Sequence, residues 1–205
     1  LVVNDLSVAE QLVSDKRVGF FTFIGSGKVG WMLRSKLAPG ARCALEHGGV
    51  APVIIDDTAD LNDTLPLIAK GGFYHAGQVC VSVQRVFAPR AIAEDVACKI
   101  AELGKAMKIG DPTLEKTMVG PLIRLKEVKR VGEWVDEAKK AGATCIIGGN
   151  QISDTTYSCT VLLDPPQNIR ISEQEIFGPV ICIYSYDNVD DAIKIANSLP
   201  YAFQA

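Results

Sequence analysis

The chain is poor in metal-ligating residues. It has two histidines, His47 and His75, and none of its six cysteines stands in a Cys-x-x-Cys pair. Zinc frameworks need such spacing, so no metal site is expected. No apolar run reaches the roughly 18 residues of a membrane-crossing helix. Basic tracts are missing too: Lys139-Lys140 is a short pair, and 21 basic residues face 24 acidic ones for a net charge of -3. That leaves no electrostatic footprint for nucleic acid. The sequence opens on Leu1-Val2-Val3 with no basic leader. Scattered cysteines without pairing signals read as free thiols of a reducing compartment, and a cytoplasmic location is the expectation.

What is present is core material. Hydrophobic residues make up 48% of the 205, enough for one large domain or one domain with part of another. The closing Tyr201-Ala202-Phe203-Gln204-Ala205 breaks off rather than tapering, as expected of a piece of a longer protein.

Apolar periodicity alternates between strand and helix. Strands are expected at Leu1–Val3, Val18–Ile24, Val53–Ile55, Thr144–Ile147, Thr160–Leu163 and Val180–Tyr184. Val81–Phe87 reads as a half-buried strand. Helices are expected over Ser7–Ser14, from the Gly25-Ser26-Gly27 turn to Leu37, from Asp57-Thr58 past Asp60, and over Ala91–Leu103, Leu122–Ala141 and Val189–Ala196. Pro66 blurs the third of these, and Gly71-Gly72 should loosen its end. The repeated strand-to-helix order predicts an α/β fold. A boundary is placed between residues 45 and 46.

Two residue types offer chemistry. Cys80 lies in Gly77-Gln78-Val79-Cys80, and Glu46 lies in Leu45-Glu46-His47-Gly48-Gly49. A thiolate is a strong nucleophile, and a carboxylate can move protons if its surroundings tune it. A cysteine among six is more often a packing residue, and a glutamate after an apolar run is more often exposed or capping. Glycine beside each permits close backbone approach. The strand, glycine turn and helix around Gly25-Ser26 would present amide donors to an anion. Taken alone, the same string reads as a helix-cap turn.

Four strings together carry a resemblance. They are Phe23-Ile24-Gly25-Ser26-Gly27-Lys28-Val29-Gly30, Leu45-Glu46-His47-Gly48-Gly49, Gly77-Gln78-Val79-Cys80 and Glu175-Ile176-Phe177-Gly178-Pro179. In this order and spacing the chain resembles the NAD(P)-dependent aldehyde dehydrogenase superfamily. The resemblance implies a Rossmann-like, partial cofactor-binding segment over residues 1–45. It implies a catalytic domain over 46–205, truncated at its C-terminal end.

The implied reaction oxidises an aldehyde to a carboxylate with NAD or NADP. Cys80 would attack the carbonyl and its own N–H would face the developing oxyanion. Glu46 would activate the water that hydrolyses the thioester. Gly25 and Ser26 would contact the cofactor at the turn, Glu175 would hold the nicotinamide ribose, and Phe177 would pack beside it. Members that pass the acyl group to coenzyme A characteristically change the Glu46 position, so its retention favours an acid product. His47 stands where an apolar residue is commoner, and is read as a hydrogen-bonded loop residue. The family's oxyanion asparagine belongs to a region with no counterpart here. A homodimer or homotetramer is implied for the intact parent. Two other functions stay open: a noncatalytic interaction fragment retaining the fold, and cofactor-independent thioesterase chemistry at Cys80 and Glu46.

Overall fold

A computed structural model describes residues 5–201 and 205. The expected strand at Leu1–Val3 lies outside the described residues. The chain divides into two compact units, Leu1–Gly48 and Gly49–Ala205.

In the first unit, α1 (Leu6–Ser14) is followed by β1 (Phe20–Ile24), α2 (Gly27–Arg34) and β2 (Arg42–Glu46). The Asp5 carboxylate caps α1 by accepting the Ser7 N–H at 2.8 Å. β1 and β2 pair in parallel from Phe20 opposite Arg42 to Ile24 opposite Glu46. Parallel neighbours need a crossover, and α2 supplies it. This helix stops at Arg34, short of the expected Leu37.

In the second unit, β3 (Pro52–Ile54), β4 (Arg85–Pro89), β5 (Thr144–Ile147), β6 (Thr160–Leu163) and β7 (Val180–Tyr186) form one sheet in the order β3-β4-β7-β6-β5. All neighbouring pairs are parallel except β5 with β6. The helices are α3 (Leu61–Phe73), α4 (Ala93–Ala106), α5 (Leu125–Lys140), the single-turn α6 (Arg170–Glu173) and α7 (Val189–Ala196). The core runs through Phe73, Phe87, Ile100, Val131, Val135, Leu162, Ile181 and Ile183, each at most 1% exposed. Central β4 and β7 are buried along nearly their whole length, as parallel strands covered on both faces must be.

Three expectations change here. The strand expected at Val81–Phe87 begins only at Arg85, and it is buried rather than half-buried. Residues 82 and 83 are drawn away because Ser82 Oγ and the Val83 N–H both donate to the Gly71 carbonyl. The helix expected from Asp57-Thr58 starts at Leu61. Asp56 spends its carboxylate on Thr58, and Asp60 is the cap, accepting the Asn62 N–H at 2.9 Å. Nor do Gly71 and Gly72 loosen α3, which runs through both and through Pro66. A Cβ on Gly72 would stand 2.9 Å from the Val83 carbonyl oxygen, so this glycine permits close packing.

Arg85 is an unusual core residue. It is 1% exposed, and its guanidinium donates to the carbonyls of Val50, Ile195 and Ala196 rather than to a carboxylate. Burial lowers its pKa.

Candidate active site

The loop that carries Cys80 is built on strained backbone. α3 ends in a 3-10 turn, Tyr74–Gly77, within which His75 and Ala76 have φ of 50° and 55°. Gly77 follows at 68°. Left-handed conformations cost non-glycine residues about 1–2 kcal/mol each, so surrounding contacts must hold them. Gln78 provides part of that hold. Its amide donates to the carbonyls of His75 and Pro121 and accepts the Ile123 N–H at 2.9 Å. Cys80 then sits half-buried in a turn. Among the described residues no acceptor takes its N–H.

Glu175 and Phe177 come to the same place. A narrow cleft is lined by Gly77, Val79, Gln84, Glu175, Phe177 and Gly178. A Cβ on Gly77 would collide with the Gly178 carbonyl oxygen, so the two glycines meet backbone to backbone. The Glu175 Oε1 is buried and has no hydrogen-bond partner among the described residues. Burial raises its pKa above the ordinary 4.5, while the Gly49 amide and the Arg130 charge draw it back down. Phe177 takes φ 48° and is 41% exposed.

The first unit gathers the remaining candidates. Gly25 ends β1, and its N–H donates to the Glu46 carbonyl at 3.0 Å. That amide is therefore committed, and Gly25 offers closeness rather than a donor. Ser26 is the N-cap of α2, but its side chain makes no cap hydrogen bond and remains available. Glu46 closes β2 with an exposed side chain. His47 packs on Gly27 and Gly30 of α2, with Nδ1 3.4 Å from the Gly25 carbonyl oxygen. Its buried Nε2 has no partner among the described residues, so its imidazole is only half satisfied. Glu46 and Cys80 belong to different units, and their pairing rests on the resemblance.

Sequence reading passed over Gln84, Arg130 and Gln78. Gln84-Arg85 interrupts an apolar run with two adjacent polar residues, which strict alternation cannot both expose. That was the available signal.

The aldehyde dehydrogenase family model matches residues 1–205. A 3-sulfolactaldehyde dehydrogenase of Priestia aryabhattai is 38% identical over 205 residues, all of this chain and 43% of the relative. The structure is similar to a glyceraldehyde-3-phosphate dehydrogenase of Methanocaldococcus jannaschii solved with NADP. That match has a TM-score of 0.90 and 34% identity, over 95% of this chain and 42% of that one. A Mycobacterium tuberculosis aldehyde dehydrogenase solved with NAD+ gives a TM-score of 0.88 and 33% identity, over 93% and 41%. The chain belongs to the aldehyde dehydrogenase family. It spans about two-fifths of the length of the relatives it matches.

Proposed function

We propose that the protein containing this chain oxidises an aldehyde to a carboxylate with NAD or NADP, through a thioester on Cys80. The observation that carries this reading is the pairing of Cys80's loop with a buried carboxylate oxygen on Glu175 that has no partner among the described residues. An unsatisfied buried oxygen calls for hydrogen-bond donors, and the two hydroxyls of a ribose supply them. The residues present therefore fit a nicotinamide nucleotide. Ser26, with its free hydroxyl at a helix N-terminus, would meet the pyrophosphate, and Gly25 would let it approach. Phe177 would lie against the ribose and nicotinamide.

The thiolate of Cys80 adds to the carbonyl carbon, forming a C–S bond and leaving the electron pair on oxygen. The Cys80 N–H stabilises that alkoxide. When bound, NAD or NADP supplies the acceptor for the hydride lost as the carbonyl re-forms. Glu46 then takes a proton from water, whose oxygen attacks the thioester and displaces the Cys80 thiolate; the carboxylic acid so formed loses its remaining proton to solvent as the carboxylate leaves.

The test is aldehyde-dependent NAD(P)H formation by the full-length protein and its Cys80→Ala variant. Activity in the first and none in the second is the expected result. A folded, nucleotide-bound Cys80→Ala variant that still turns over would sink the reading.

A further inference from the structure

Gln84 is 4% exposed, and every hydrogen bond of its side chain goes to one short segment. Its Nε2 donates to the carbonyls of Ile171 at 3.2 Å and Gln174 at 2.7 Å. Its Oε1 accepts the Ile176 N–H at 2.8 Å. Only one orientation of the amide satisfies this arrangement, because a carbonyl can only accept and a peptide N–H can only donate. The contacts bracket Glu175: one lies on the residue before it and one on the residue after.

A second side chain grips the same residue from another element. Arg130 of α5 donates from Nη2 to the Ile176 carbonyl at 2.7 Å. Its Nε is held by Glu127 at 2.8 Å, and its guanidinium lies 4.7 Å from the centroid of the Trp134 ring. Ile176 is thus fixed at its N–H by Gln84, the residue before β4, and at its C=O by Arg130 of α5. The next residue, Phe177, is held at φ 48°. Beyond it, a Cβ on Gly178 would stand 2.7 Å from a Val131 methyl. Two flanking residues of the proposed ribose contact are therefore set from outside the loop.

We propose that Gln84 and Arg130 are positioning residues. Gripping Ile176 from two sides, they fix the Glu175 carboxylate and the Phe177 ring where a nicotinamide ribose meets them. This rests on the reading of Glu175 as the ribose contact. Neither residue touches a reacting atom. Their loss releases a strained peptide and lets the carboxylate swing, which affects how the nucleotide is held and leaves the Cys80 nucleophile in place.

That difference separates positioning from general support of the fold. An activated ester such as a p-nitrophenyl ester needs no nucleotide. Cys80 takes its acyl group as nitrophenolate leaves, and water then hydrolyses the thioester. Hydride transfer does need the nucleotide in register.

The experiment uses the full-length protein with Gln84→Met, Arg130→Met, Arg130→Lys and Glu175→Gln. It measures NAD(P) dissociation constants, single-turnover hydride transfer and nucleotide-free ester hydrolysis. The two methionine variants should bind nucleotide or transfer hydride on the order of tenfold less well, with ester hydrolysis retained. Arg130→Lys, which can still donate to the Ile176 carbonyl, should recover part of the loss. Equal losses in ester hydrolysis and hydride transfer would reduce both residues to structural supports. Unimpaired hydride transfer in both methionine variants, beside an impaired Glu175→Gln, would overturn this proposal alone. An unimpaired Glu175→Gln would overturn the ribose reading and this proposal with it. Should Gln84→Met not fold, the Arg130 pair decides.

Discussion

Gly77 and Gly178 touch through their main chains, with no room for a side chain between them. The contact ties the loop that carries Cys80 to the one that carries Glu175. Gly77 also has φ 68°, where a Cβ is disfavoured before any collision. Gly77→Ala should cost at least about 2 kcal/mol of local stability, and it should push the two loops apart. Thermal unfolding and the hydride-transfer rate of the full-length variant check this together. A variant with both properties unchanged would mean the contact does not hold the loops.

Glu46→Gln separates the two halves of the proposed reaction. The amide cannot take a proton from water, so the Cys80 thioester should form and then persist. One burst of NAD(P)H per site is expected, followed by turnover slowed by about a hundredfold or more. Rapid-mix kinetics would show it. Full acylation followed by release at the normal rate would remove Glu46 from the role of base.

Local pattern made β5, β6 and α7 readable to the residue, because β5 and β6 are short apolar runs closed by Gly148 and Asp164, and α7 is an amphipathic stretch flanked by Asn188 and Asn197. The α/β class followed from their alternation. Residues 82 and 83 leave the expected strand because the bonds that divert them reach back to Gly71, and no local pattern encodes that. The grip on Ile176 was likewise hidden: Gln84 lies 92 positions from it and Arg130 lies 46. Cys80, Glu46 and Glu175 were chosen from family strings. Composition and periodicity alone left each with an ordinary structural explanation. The burial of the Glu175 Oε1, with no partner among the described residues, is a property of the folded chain.

The six cysteines should separate by reactivity. Burial pushes the thiols of Cys159 and Cys182 up to about 12, leaving about one thiolate in ten thousand at pH 8. Cys145 is also raised by burial. Cys98 is exposed, and Cys43 and Cys80 are half-buried. Iodoacetamide should therefore label Cys98, Cys43 and Cys80 in the native protein and reach Cys159 and Cys182 only after unfolding. Peptide mapping over time reads the order. In a Cys98→Ser background, loss of dehydrogenase activity should track labelling of Cys80, and activity surviving complete Cys80 labelling would contradict its assigned role.

Glu175 gives the protein a pH dependence whose sign differs for stability and for binding. Burial raises its folded pKa above 4.5, so the native state holds this proton more tightly than the unfolded chain. Between the two values the native state binds more protons, and this group's contribution to stability falls as pH rises. Nucleotide binding runs the other way. Ribose hydroxyls donate to an ionised carboxylate, so affinity should climb as pH rises through the folded value. Glu175→Gln should lose that component, because its amide carries no titrating proton. Dissociation constants for NAD(P), measured from about pH 5 to about pH 8 in the full-length protein, distinguish the cases. Parallel profiles for wild type and variant would mean that Glu175 does not titrate in contact with the nucleotide.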